Sequence, residues 1–201
     1  MRLFVGLELS AEIKKSLEFA RGGVEGARWQ RDDQLHLTLG FIGEVPMSSV
    51  REIERVLADI HFDPFELQLT GVDMFGSVQQ PKTLWAGVAD EKSLKYLHEK
   101  ILNALERVGI EGDRRRFKPH VTLARFNRGV EARISDWLGI NGTLKTPVQT
   151  VEYFSLFSSA PTSEGPSYIV EARFGDGAAE TSDEGSGFVP VFSGGLAADV
   201  N

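Results

Sequence analysis

The sequence feature that most constrains this chain is a tetrapeptide that occurs twice, His36-Leu37-Thr38-Leu39 and His120-Val121-Thr122-Leu123. Two of the chain's four histidines thus share one local context. In a strand, alternate side chains point to the same face. Each copy would therefore present an imidazole and a hydroxyl to one side and anchor the other side with Leu or Val.

The surrounding pattern repeats as well. An apolar strand from Leu3 to Leu9 leads into a helix opened by Ser10 and Glu12, and the first motif lies in a strand from Leu35 to Ile42. A helix follows over Ser48–Ile60, then an alternating strand over Phe65–Val72. The second series has a strand over Leu84–Val88, a helix over Glu91–Val108 and the second motif strand over His120–Ala124. A helix over Val130–Leu138 and a strand over Val148–Phe157 come next, before a closing strand over Tyr168–Phe174. The first strand precedes the histidine by 33 residues in one half and 36 in the other, and the histidine precedes the next long strand by 29 and 28. This matched spacing predicts an α+β fold of two lobes related by internal duplication, approximately 1–75 and 82–174, with exchange of strands between them left open. From Gly175 the chain becomes rich in Gly, Ala, Ser and acids, with no Lys or Arg to Asn201, and reads as a flexible tail. The patch Phe188–Phe192 within it is read as a segment without function, with docking as the alternative.

With no cysteine, disulfides, thiolate metal sites and a cysteine nucleophile are excluded. The N-terminal apolar run meets Glu8 too early for a signal peptide, and the longest apolar runs are strand-sized, so the expected location is the cytoplasm, away from membranes. A net charge of −7 argues against non-specific coating of nucleic acid. Residues 114–128 nevertheless carry six of the 22 basic residues and no acid, a candidate phosphate-facing patch. For Arg114–Arg116 a solvated loop is an equal reading. No long apolar face stands out, and a monomer is expected.

An imidazole titrates near neutrality, so one ring can act as a base while another acts as an acid. Two such rings suit cleavage of a phosphoester without a metal, with Thr38 and Thr122 hydrogen-bonding the non-bridging oxygens. Arg125, at the end of the second motif strand, is placed to reach the phosphate, and Lys118 lies just before it. Phe41 and Tyr168 are candidates for stacking a base, although core packing is the favoured role for Phe41. His98 and His61 read as surface residues. Metal-ligand spacings, a glycine-rich nucleotide loop and a serine nucleophile elbow are all absent, so no cofactor is expected.

These residues resemble the 2H phosphoesterase superfamily, and more closely the RNA 2′,3′-cyclic phosphodiesterases also called 2′-5′ RNA ligases. The resemblance runs through residues 1–174: Met1–Leu7, Arg28-Trp29, His36–Val45, Leu84–Val88, Phe117–Arg125 and Gly165–Tyr168. It implies a bilobal duplicated α+β domain in which two antiparallel sheets flank a central cleft, with helices outside. It also implies metal-independent opening of an RNA terminal 2′,3′-cyclic phosphate to a 2′-phosphomonoester, with His36 the proton donor and His120 the acceptor. One departure is Gly40, where relatives often carry a basic or small residue, so a phosphate contact from that position would be missing. Two alternatives remain at this stage. One keeps the chemistry but acts on, or reversibly ligates, 2′-5′-linked oligonucleotides, or acts on a nucleotide metabolite. The other is a non-catalytic module that binds RNA ends.

Overall fold

The computed structural model describes residues 1–112, 116–129, 132–163 and 165–179. Two members of the basic stretch, Arg114 and Arg115, lie outside the described residues, as does the tail from Glu180 with its patch Phe188–Phe192.

The first half runs β1 (Arg2–Glu8), α1 (Ala11–Glu18), β2 (Arg28–Trp29), β3 (His36–Glu44), α2 (Met47–Ala58), β4 (Phe65–Leu67) and β5 (Leu69–Gly76). The second runs β6 (Pro81–Val88), α3 (Lys92–Glu106), β7 (Val121–Arg125), α4 (Ser135–Asn141), β8 (Gln149–Val151), β9 (Phe154–Thr162) and β10 (Gly165–Phe174). The Ser10 hydroxyl accepts from the Ile13 amide and satisfies one of the free donors that open α1. Of the helix predicted over Val130–Leu138, Val130 and Glu131 lie outside the described residues, and the helix that forms begins at Ser135. Among the described residues, no helix is long and apolar enough to cross a membrane.

Both of the long strands expected to follow the motifs are broken. The predicted strand over Phe65–Val72 is interrupted at Gln68, and that over Val148–Phe157 is interrupted at Glu152 and Tyr153. The first pieces, β4 and β8, pair with each other in a small two-stranded sheet. The second pieces go to opposite halves, β5 beside β6 and β9 beside β1. The large sheet has the order β10-β9-β1-β3-β7-β6-β5, with β2 along β7, and every pairing is antiparallel. The α+β class with an antiparallel framework is as the sequence predicts. The two halves of the sheet are hydrogen-bonded into one, but the seam between β3 and β7 is a single register pair, Leu37 with Val121.

One face of the sheet is the core. Leu3, Val5 and Leu7 of β1, Leu37 and Leu39 of β3, and Val121 and Leu123 of β7 pack with Ile13 and Leu17 of α1, Leu57 of α2 and the Leu94–Leu105 side of α3. The large fully buried aliphatic side chains belong to this one core, and their removal from water is the main stabilising term. The opposite face, carrying the even-numbered residues of β1, bears the site.

Candidate active site

The seam pair fixes how the two motifs meet. Leu37 opposite Val121 in an antiparallel ladder places Thr38 across from His120 and His36 across from Thr122. The two imidazoles and two hydroxyls therefore alternate around one centre, half-buried, while the buried Leu37 and Val121 anchor them from below.

Both rings are held in the same way. His36 Nδ1 lies 2.8 Å from the Gln34 carbonyl oxygen, and His120 Nδ1 lies 2.7 Å from that of Lys118. A carbonyl only accepts, so Nδ1 carries a proton in each ring and Nε2 is the working atom. The Thr38 hydroxyl lies 3.1 Å from His36 Nε2 and donates to it while the ring is neutral. Burial pushes His36 from the ordinary 6.5 down to about 4; the Gln34 hydrogen bond opposes this, and the charges of Arg125 and His120 add to it. Burial also lowers His120, opposed by its bond to Lys118 and assisted by the charges of Arg125 and Lys118. Arg125 thus acts on both histidines, and it also acts on Tyr168.

Aromatic walls flank each ring. Around His36 stand Phe4 at 4.8 Å, Tyr168 edge-on at 4.9 Å and Phe157 at 5.8 Å between ring centroids. Around His120 stand Phe75 at 5.0 Å and Trp85 at 5.8 Å. These walls cross the halves, since Phe157 and Tyr168 come from β9 and β10 while Phe75 comes from β5. Trp85, opposite Thr122 across β6 and β7, is 5% exposed, and its indole N–H has no hydrogen-bond partner among the described residues. Sequence reasoning missed Phe4, Phe75, Phe157 and Trp85. Their signal was period-2 alignment with the motif faces, which needs strand pairing to be read. Lys118 is engaged nearby, its Nζ 4.1 Å over the Trp85 ring and 3.6 Å from Asp73.

The structure corrects three readings. Phe41 is not in the core; it is 53% exposed, and its ring lies 6.3 Å from Phe4. The cause is a pair of register shifts along β1 and β3. Gly6 faces Thr38 but Val5 faces Gly40, so Leu39 is an extra residue that moves Phe41 onto the site face. The same bulge turns Gly40 the other way. A Cβ there would meet Ile101 and Leu102 of α3 at 3.6 and 3.7 Å, so a side chain at this position would point to the helix and away from the motif centre.

His98 is not a surface residue; it is 6% exposed. Its Nδ1 donates to the Leu39 carbonyl at 2.6 Å, and its ring stacks on Phe117 at 4.0 Å. It ties the first motif strand to the segment that enters the second. His61 is exposed, as expected, and its carbonyl accepts from Lys100.

Among the described residues, no three His, Asp or Glu side chains gather around a point where one ion would sit. Paired imidazoles and hydroxyls beside a guanidinium, carried on this antiparallel α+β scaffold, define a phosphoesterase. The family model described as LigT like phosphoesterase matches residues 7–85 and 87–168, and each matched segment contains one copy of the motif. The chain belongs to the LigT-like phosphoesterase family. An RNA 2′,3′-cyclic phosphodiesterase of Archaeoglobus fulgidus is 30% identical over 84% of this chain and 96% of its own length. Its Thermotoga maritima counterpart is 29% identical over 88% and 97%. Among solved structures, TT0787 of Thermus thermophilus superposes with a TM-score of 0.71 at 28% identity, covering 87% of this chain and 97% of that one.

Proposed function

We propose that this phosphoesterase opens terminal 2′,3′-cyclic phosphates of RNA to 2′-phosphomonoesters without a metal, using His36 and His120 as acid and base. The observation that carries this reading is the mirrored tethering of the two rings, each with Nδ1 on a carbonyl two residues upstream. The names of the relatives point to the same substrate.

In the proposed reaction, water attacks phosphorus opposite the 3′ oxygen. His120 Nε2 takes a proton from the water as the new P–O bond forms. The P–O3′ bond breaks, and His36 Nε2 gives its proton to the departing oxygen, leaving the phosphate on O2′. Arg125, Thr38 and Thr122 hold the non-bridging oxygens as charge develops on them. Thr38 has a second task. While His36 is neutral, the hydroxyl donates to Nε2; once Nε2 is protonated it no longer accepts, and the hydroxyl proton is free to turn toward the phosphate.

His36 in the free protein is neutral at pH 7, because its pKa lies near 4. The anionic phosphodiester supplies the negative charge that favours the imidazolium, so substrate binding itself arms the acid. The test is turnover of an oligonucleotide bearing a 2′,3′-cyclic phosphate in excess chelator. Full activity there, with loss of about a hundredfold or more in both His36→Ala and His120→Ala, is expected. Unchanged turnover in either variant, or abolition by the chelator, overturns the reading.

A further inference from the structure

The site face continues past the histidines into a groove that the two-histidine chemistry does not use. Two cross-strand rows define it. Phe41, Phe4 and Phe157 form one row over β3, β1 and β9; Glu44, Arg2, Ser159 and Tyr168 form the next, extending to β10. Residues directly opposite in a ladder share a face, and Phe4 touches His36, so Arg2 stands on the site face one row beyond it. Two residues of strand separate Phe4 from Arg2, about 7 Å.

Tyr168 and Arg2 both lie opposite Ser159 in this row, and the phenol is close enough to Arg125 and Arg2 to feel both charges. Beyond Arg2 opens a groove of about 630 Å³ lined by Arg2, Glu44, Ser159, Thr162 and Pro166. Its far wall is tied to the catalytic strand: Gln34 donates to the Pro166 carbonyl at 2.8 Å, and the same Gln34 offers its own carbonyl to His36. Arg2 is exposed, and among the described residues no carboxylate lies within ion-pair distance of it. Its register neighbour Glu44 is the nearest acid in the pairing and makes no such contact. In a protein of net charge −7, an unpaired guanidinium on the site face is a site for an anion brought by the substrate.

We propose that Arg2 and this groove form a second phosphate subsite, which takes the phosphate on the 5′ side of the nucleotide whose 2′,3′-cyclic phosphate lies between His36 and His120. The inference rests on the cyclic-phosphate reading above and extends it from the reacting group to the substrate class. The preferred substrate is a chain end or a 5′-phosphorylated nucleotide, since a 5′-hydroxyl nucleoside cyclic phosphate leaves the subsite empty. Exposed Phe41, one row nearer the histidines, flanks the path between the two phosphates.

The test compares kcat/KM for three probes: a nucleoside 2′,3′-cyclic phosphate with a 5′-hydroxyl, the same nucleoside with a 5′-phosphate, and a dinucleotide ending in a cyclic phosphate. The wild-type protein is expected to favour the second and third about tenfold over the first, through KM. Arg2→Gln removes most of that ratio, Arg2→Lys keeps part of it, and Glu44→Gln raises it. The advantage shrinks as salt rises, with a shallower slope in Arg2→Gln. Each ratio is internal to one protein preparation, so partial unfolding of a variant cancels. Equal turnover of all three probes by the wild-type protein, or the same ratio in Arg2→Gln, overturns the subsite and leaves the cyclic-phosphate reading standing. Failure to turn over any probe overturns that reading instead.

Discussion

At the level of single residues, His98 and Phe41 show what a lone sequence conceals. His98 lies between Leu97 and Glu99 in a helical repeat, next to charged neighbours, and reads as a surface residue. It is buried because the bulge at Leu39 presents a carbonyl, and an imidazole on α3 meets it. His98→Ala removes that bond and the stack on Phe117 together, and should lower stability by about 2–4 kcal/mol in chemical denaturation. His98→Phe keeps the stack and should cost less. His36 makes a pH prediction. Its pKa is lower folded, about 4, than in an open chain, so below 6.5 the unfolded state binds more protons and stability falls as pH drops from 6.5 toward 4. His36→Ala should flatten that limb of the stability profile. In kinetics, both histidines are lowered in the free protein, so kcat/KM should peak below pH 6.5. Bound phosphate favours the protonated form and moves the kcat optimum upward. An optimum for kcat/KM above pH 7.5 would contradict the assigned environment of both rings.

At the level of elements, the helices and most strands were legible because their apolar periods are clean. The motif strands were legible as well, since His-x-Thr with alternating Leu and Val states its own faces. The two broken strands were not. Alternation across Phe65–Val72 is continuous, and nothing in it announces that Gln68 ends one sheet and Leu69 begins another; the break is stabilised from outside, by Gln68 donating to the Thr146 carbonyl and by the Leu69 amide bonding the Thr146 hydroxyl. A second tertiary fastening joins β1 to β10. Arg173 donates to both Glu8 carboxylate oxygens, at 2.7 and 3.0 Å, and the buried Ser155 hydroxyl donates to the same group at 2.6 Å. Burial would raise the Glu8 carboxyl, but these bonds outweigh it and hold the group below its usual range. Arg173→Met leaves the carboxylate short of its partner and should cost roughly 1–3 kcal/mol at pH 7. A lowered carboxyl stabilises above its unfolded pKa, so the difference from wild type should shrink as pH falls below about 4.5. Thermal unfolding at pH 7 and pH 3.5 checks both statements.

At the level of the whole molecule, the spacing of the repeats predicts two lobes that could exchange strands, but spacing alone does not say which strands change sides. The pairing is reciprocal: β5 of the first half extends the sheet of the second, and β9 with β10 extends the sheet of the first. We therefore expect residues 1–174 to melt in one transition, with the lobes failing to fold when expressed apart as 1–75 and 82–174. Two resolved transitions in calorimetry would show the halves to be independent.

The exchange also sets an order in time. A ribosome delivers β1 and β3, with His36, long before it delivers Phe157 and Tyr168, the side chains that wall that histidine. At about 5–20 residues per second, the first imidazole waits several seconds for its surroundings, in a chain whose first sheet still has an open edge at β1. The desolvation that sets its proton affinity therefore arrives with the last strands, so a shortened chain would carry the first motif without the environment that makes it reactive.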